Sequence, residues 1–190
     1  MKKTLLVILV GLSMRAQQSA PAPVYTAAGE LLLPKNYREW VYLSSGLGMT
    51  YGAAGNESPD PRFDNVFVNP SSYRAFLETG HWPDKSVFIL EIRQSVSKGS
   101  INKGGRSQGD VVSVEAAVKD ESRFPQKWAY FGFGHGEKAA PAPATSSCNA
   151  CHHQNAAVEN TFVQFYPVLL DVARQKGTLN AGYLSASKDH

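Results

Sequence analysis

Apolar and polar positions alternate most clearly between residues 86 and 133. From Ser86 to Arg93, the side chains of Phe88, Leu90 and Ile92 fall on one face of an extended strand. From Val111 to Lys119, Val112, Val114, Ala116 and Val118 alternate with Ser113, Glu115 and Lys119. Lys127 to Phe133 reads as a third, aromatic strand and Phe63 to Val68 as a shorter one. Lys98 to Asp110 carries four glycines and reads as a long hairpin loop. Between Ser86 and Phe133 the connections leave no room for helical crossovers, so the pattern there predicts antiparallel pairing. Helical spacing occupies the flanks. Tyr37, Trp40, Val41 and Ser44 predict a helix from Leu33 to Gly46, and Leu47 to Asp60 reads as a Gly-, Ser- and Asn-rich loop. Asn69 as cap and Pro70 in the first turn open a helix that stops at Gly80, with Tyr73, Phe76 and Leu77 as its apolar face. Val158, Phe162 and Phe165 are spaced for another, and Pro167 starts a last helix ending at Gly177. The fold class is α+β: mainly antiparallel β-sheet, a few flanking helices, and a helical C-terminal segment around the cysteines.

Composition refines the boundaries. Lys2 and Lys3 precede an apolar run from Leu5 to Leu12, with cleavage points after Ala16 or Ala20, the form of a secretory signal over residues 1–20. The run is far shorter than the roughly 20 residues of a spanning helix. The chain has 19 basic and 16 acidic residues, a formal charge of +3. The signal holds Lys2, Lys3 and Arg15 and no acid, so its removal brings 16 basic residues against 16 acidic ones. No basic stripe is interleaved with aromatics, which excludes nucleic acid as a partner. A flexible segment over 21–32, one domain over 33–178 and a tail over 179–190 complete the organisation.

The two cysteines of the chain fall in Cys148-Asn149-Ala150-Cys151-His152. Two thiols at this spacing can add to the two vinyl groups of a haem, leaving the adjacent histidine as its proximal iron ligand. The alternatives are a redox dithiol, a disulfide or half a zinc site. A zinc site lacks its second cysteine pair, and a thioredoxin-like dithiol should follow a buried strand, whereas this pair follows the linker-like run Pro141 to Ser147. The cofactor expected is therefore haem c, covalently attached through Cys148 and Cys151 with His152 on the iron. Such attachment takes place outside the bacterial cytoplasm, which agrees with the signal and predicts a periplasmic or otherwise exported protein.

An iron held from both sides shuttles electrons, whereas an open one binds small molecules. Met1 and Met14 lie in the signal, leaving Met49 in a glycine-flanked loop. His153 points about 100° away from His152 on a helix, and His190 is terminal. His81 and His135 remain, each beside a glycine at an element end. The expectation is an open sixth position. Candidate linings for a distal pocket are Phe63, Phe67, Trp82, Phe88, Trp128, Phe131 and Phe133, each of which serves equally as core. Glu91 stands between apolar neighbours and is either a pocket proton acceptor, hence a catalytic candidate, or the solvent-facing partner of Arg93; Asp64 and Arg93 are candidates of the same kind. The glycine clusters Gly132-Phe133-Gly134-His135-Gly136 and Gly104-Gly105-Arg106 fit neither a dinucleotide fingerprint nor a phosphate loop and read as turns.

An ordered set of segments resembles the cytochrome P-460 family, which includes cytochrome c′-beta. They are Ser45 to Gly52, Phe63 to Val68, Gly80-His81-Trp82-Pro83-Asp84, Val114 to Asp120, Trp128 to Phe131 and Asn160 to Pro167. The resemblance implies a mostly antiparallel β fold, often a homodimer, with a five-coordinate haem c. It implies two activities. Members with a lysine-to-haem bond oxidise hydroxylamine and pass electrons to a redox partner; members without it bind nitric oxide, carbon monoxide or related nitrogen-oxide ligands. Where the resemblance places that lysine, this chain has Leu90, with Lys85 nearby at a turn.

Overall fold

The computed structural model describes residues 22–51 and 60–186. The predicted signal, most of the loop after Leu47 and His190 lie outside the described residues. Strand β1 (Leu31–Leu32) is followed by a 3₁₀ turn at Tyr37–Glu39 and then β2 (Val41–Leu47), β3 (Phe63–Val68), helix α1 (Pro70–Thr79), β4 (Val87–Val96), β5 (Ser107–Lys119), β6 (Trp128–Gly134) and β7 (Lys138–Ala139). Helices α2 (Ser147–Asn155), α3 (Pro167–Lys176) and α4 (Ala181–Ala186) close the chain, with a 3₁₀ turn at Val163–Phe165 before α3. The main sheet is an antiparallel meander in the order β2-β3-β4-β5-β6, and β1 pairs with β7. The α+β class read from the sequence is the observed one.

Three elements differ from expectation. The segment expected to be a helix over Leu33–Gly46 is a 3₁₀ turn followed by β2. Tyr37 and Trp40 are buried as anticipated, but Val41 to Leu47 gains a full ladder against β3, and ladder formation outweighs a weak helical period. The hairpin loop is shorter than Lys98–Asp110, because Ser107 and Gln108 pair with Val96 and Ser95 across a bulged stretch near Arg93. After α2, Val158 bridges to Thr161, so the predicted helical turn is a tight loop instead. In α1, Pro70 takes the first turn as expected, but the Asn69 side chain does not cap: its carbonyl oxygen accepts from Val87 N at 2.9 Å and ties the helix start to β4. Leu77 lies on the exposed side of α1.

Cross-strand partners share a face, and the register therefore assigns every strand residue. Phe67, Ile89, Ala116 and Phe131 line up on one face, with Phe63, Asn65, Glu91 and Val114. Leu31, Tyr37 and Trp40 pack over this closed face. Val68, Phe88 and Trp128 lie on the other, where α1, α3 and Trp82 cover one end. The rest of that second face holds Val66, Leu90, Ile92, Ser113 and Ala117, all half-buried, and stays half-open.

Helices α1 and α3 meet where their C-termini turn. Gly80 and Gly177 both adopt left-handed caps, with φ of 75° and 69°. A Cβ on Gly80 would stand 2.8 Å from Lys176 Cβ and 2.9 Å from Thr178 Cγ2. Left-handed backbone alone costs an L-residue about 1–2 kcal/mol. Gly80→Ala should therefore lower unfolding stability by about 2 kcal/mol, read as a reduced urea midpoint with unchanged slope.

Candidate functional site

The proline-rich run before the cysteines is anchored. Pro141 bridges to Phe131, and Ala142 N donates to Tyr130 O at 2.7 Å, so the edge of β6 delivers the chain directly to α2. Ser146 opens that helix as N-cap, its hydroxyl accepting from Asn149 N, while the Asn149 amide donates to Ser146 Oγ at 3.0 Å and to Pro143 O at 3.0 Å. Three residues apart on a helix, Cys148 and Cys151 share one side and are not joined to each other in a disulfide.

His152 sits half-buried between two rings, with Tyr130 at 4.3 Å and Phe162 at 4.4 Å between centroids. Its Nδ1 lies 2.8 Å from the carbonyl oxygen of Asn160. A carbonyl can only accept, so Nδ1 carries the proton and the lone pair is on Nε2. Burial holds the imidazole below its ordinary pKa, partly offset by the bond to Asn160. A neutral ring with one nitrogen oriented by a hydrogen bond is the form that binds a metal.

Tyr130 lies on the half-open face, which places His152 over that face. The face can receive a flat apolar group. It carries small residues at Ser44, Gly46, Ala117 and Gly132 and apolar ones at Val66, Leu90 and Ile92. A Cβ on Gly132 would meet nothing within 4 Å. The Tyr130 hydroxyl is buried beside the Asn160 side chain without a hydrogen bond of good geometry; burial raises its pKa, Asn160 opposes the rise, and Cys148 and Cys151 add to it. These features together fit a flat apolar group such as a haem, received between this face and His152.

Two carboxylates share this face. Asp64 is half-buried and its pKa is raised by burial and by the charge of Glu115, with Arg62 acting in the opposite sense. Glu115 reaches solvent, yet the protein mass around it also pushes its carboxyl up. Its surroundings raise the pKa of the Tyr51 hydroxyl, chiefly by desolvation and then through Asp64, Cys151 and Glu115, which lie near enough to add to the rise and so belong to one region. Asp64 was legible as a candidate; Glu115 was read only as the polar half of an alternating strand.

The other sequence candidates are dispersed. Phe63, Phe67, Phe131 and Phe133 belong to the closed face, away from His152. Trp82, Phe88 and Trp128 lie on the His152 side but are packed in the core beneath α1 and α3. Glu91 is on the closed face and 2% exposed; Arg93 is its partner, as one alternative held, but in the interior rather than in solvent. A hollow of about 750 Å³ lined by Leu32, Tyr37, Arg38 and His135 also lies on that side, remote from the cysteines. His81, His135 and His153 are exposed, and His81 Nδ1 stands 3.5 Å from Glu159. Met49 folds its sulfur against Gly46, on the half-open face. Leu90 occupies that face too, whereas Lys85 is turned to Asp120 and Ser122. Among the described residues no group of three or more His, Cys, Asp or Glu is arranged to hold a metal ion.

The family model described as Cytochrome P460 matches residues 34–163, more than half of the chain. No curated protein matches the sequence.

Proposed function

The chain belongs to the cytochrome P460 family, which implies haem binding, and on that premise we propose an exported mono-haem c protein that binds small ligands at an open iron. Cys148 and Cys151 would hold the haem by adding their S–H bonds across its vinyl groups, and His152 Nε2 would ligate the iron. Haem so bound supplies an iron with one coordination position free for nitric oxide, carbon monoxide or a related nitrogen oxide. The observation that carries this reading is the orientation of His152: Nδ1 committed to Asn160 O and the ring clamped over a half-open apolar sheet face. Val66, Leu90 and Ile92 on that face exclude water from one side of the group, and Asp64 and Glu115 set its polarity.

A spectrum of the purified, haem-loaded protein tests this. The reduced protein should be five-coordinate and high-spin, and nitric oxide should shift it at once. Met49→Leu should leave the unliganded spectrum unchanged. A six-coordinate low-spin reduced spectrum that reverts in Met49→Leu would instead establish an electron carrier with methionine as second ligand.

Hydroxylamine oxidation is the second reading, favoured by the carboxylate pair. Removing protons from an N–H or O–H substrate needs an acceptor, and carboxyls with raised pKa are better bases than ordinary ones. Leu90 at the position of the cross-linking lysine speaks against it. Turnover of hydroxylamine with an external electron acceptor, lost in Glu115→Gln, would decide for this activity.

A further inference from the structure

The carbonyl that orients His152 belongs to a loop held with unusual redundancy. Glu159, immediately before Asn160, has φ of 49°, a left-handed conformation that L side chains rarely adopt. Such a conformation persists where surrounding contacts over-determine it. Here they come from three directions. The Glu159 carboxylate accepts from Trp82 N at 3.2 Å through one oxygen and from Lys119 Nζ at 2.9 Å through the other. Lys119 is itself fixed by donating to Trp82 O at 2.7 Å. The Glu159 carbonyl accepts from Asn180 Nδ2 at 2.9 Å, and the same amide donates to Ala156 O at 2.8 Å. On the far side of Asn160, Thr161 is 3% exposed, accepts from Trp82 Nε1 at 2.8 Å and donates to Val158 O at 2.9 Å.

We propose that Glu159 is a positioning residue for the proximal ligand: the Trp82–Lys119–Glu159–Asn180 clamp aims the Asn160 carbonyl at His152 Nδ1 and thereby sets how strongly Nε2 donates to iron. The inference rests on the reading of His152 as axial ligand. A well-aimed carbonyl gives the imidazole partial imidazolate character, which strengthens its bond to iron and favours the oxidised metal. Loosening the clamp reverses both. Nothing in Glu159 touches the ring; its effect passes through one backbone carbonyl.

Partners to a ligating histidine change metal affinity about 10–100-fold when removed. If the lower end of that range fell wholly on the oxidised iron, Glu159→Ala would shift the ferric-to-ferrous balance about tenfold, an upward potential shift of about 59 mV for a one-electron couple and the upper bound for a residue that acts through Asn160. The measurements are the iron–histidine stretching band of the reduced holoprotein, by resonance Raman, and its reduction potential. Glu159→Ala should move the band to lower frequency and the potential upward. Glu159→Gln keeps an acceptor for Trp82 N and should shift both less, and Asn180→Ala, acting from the other side of the loop, should reproduce the direction. If Glu159→Ala loads no haem, the latter two decide. Lowered unfolding stability with band and potential unmoved would overturn the proposal, leaving Glu159 a packing residue only. In a reduced protein whose spectrum is five-coordinate, absence of an iron–histidine band would overturn the assignment of His152 itself, a different failure from an unmoved band.

Discussion

Haem should be lost entirely from the denatured protein when Cys148 and Cys151 are both changed to serine. The two thiols stand three residues apart on α2, whose start is fixed by Ser146 and by the attachment of Pro141 and Ala142 to β6. Serine keeps the helix and the cap, so the variant tests the sulfur chemistry rather than the fold. Haem staining on a denaturing gel should fall to background, while haem added to the folded variant still binds through His152 and the apolar face. Either single substitution should leave one thioether and partial staining. Staining that survives the double substitution would establish another covalent link, and a lysine bond would be the first to seek by mass spectrometry. That result would shift the balance towards hydroxylamine oxidation.

Glu91→Ala should cost about 3–5 kcal/mol of stability, because it strands buried partners of a buried charge. The carboxylate receives the Tyr37 hydroxyl, Arg93 Nη1 at 2.8 Å and Arg38 Nε at 2.7 Å. Arg38 is half in solvent and can rehydrate; Arg93 and Tyr37 cannot do so fully. Glu91→Gln keeps an acceptor but loses charge-assisted bonds, for a loss of about 2 kcal/mol. Burial by itself raises the Glu91 pKa, but the hydrogen bonds from Tyr37, Arg93 and Arg38 outweigh it and hold the carboxyl below the ordinary range. A carboxyl depressed in the folded state contributes stability above its unfolded pKa of about 4.3 and loses it as pH falls towards the folded value. The stability gap between the natural protein and Glu91→Gln should thus narrow on acidification below about pH 5. Urea curves that stay parallel across that range would contradict this origin of the effect.

The antiparallel strands were legible because their period of two is local, and the five-residue cysteine–histidine spacing that carries the haem proposal is local in the same way. What required the structure was the identity of the faces. Strands β3 and β4 are apolar on both sides, so alternation cannot say whether Phe67 or Val66 looks towards His152; only the register does. For that reason the aromatics proposed for a distal pocket divide between the two faces. The same limit made Glu91 ambiguous and hid Glu115. β2 was missed because Tyr37, Trp40 and Val41 fall at helical spacing by chance across a 3₁₀ turn and a strand start. The partner of His152 was beyond any residue-level reading, since it is the main-chain carbonyl of Asn160 and side-chain identity does not announce it.

The order of the main sheet follows the order of the chain. Each strand finds its partner one step back along the polypeptide, so each pairing closes a loop of modest length, and such topologies assemble quickly for β proteins. The cysteine helix comes after the last of these strands. As the chain emerges from synthesis, the sheet over which His152 sits has all its strands available before Cys148 arrives. On the proposed reading, cofactor attachment would work on a late segment beside a surface already able to form.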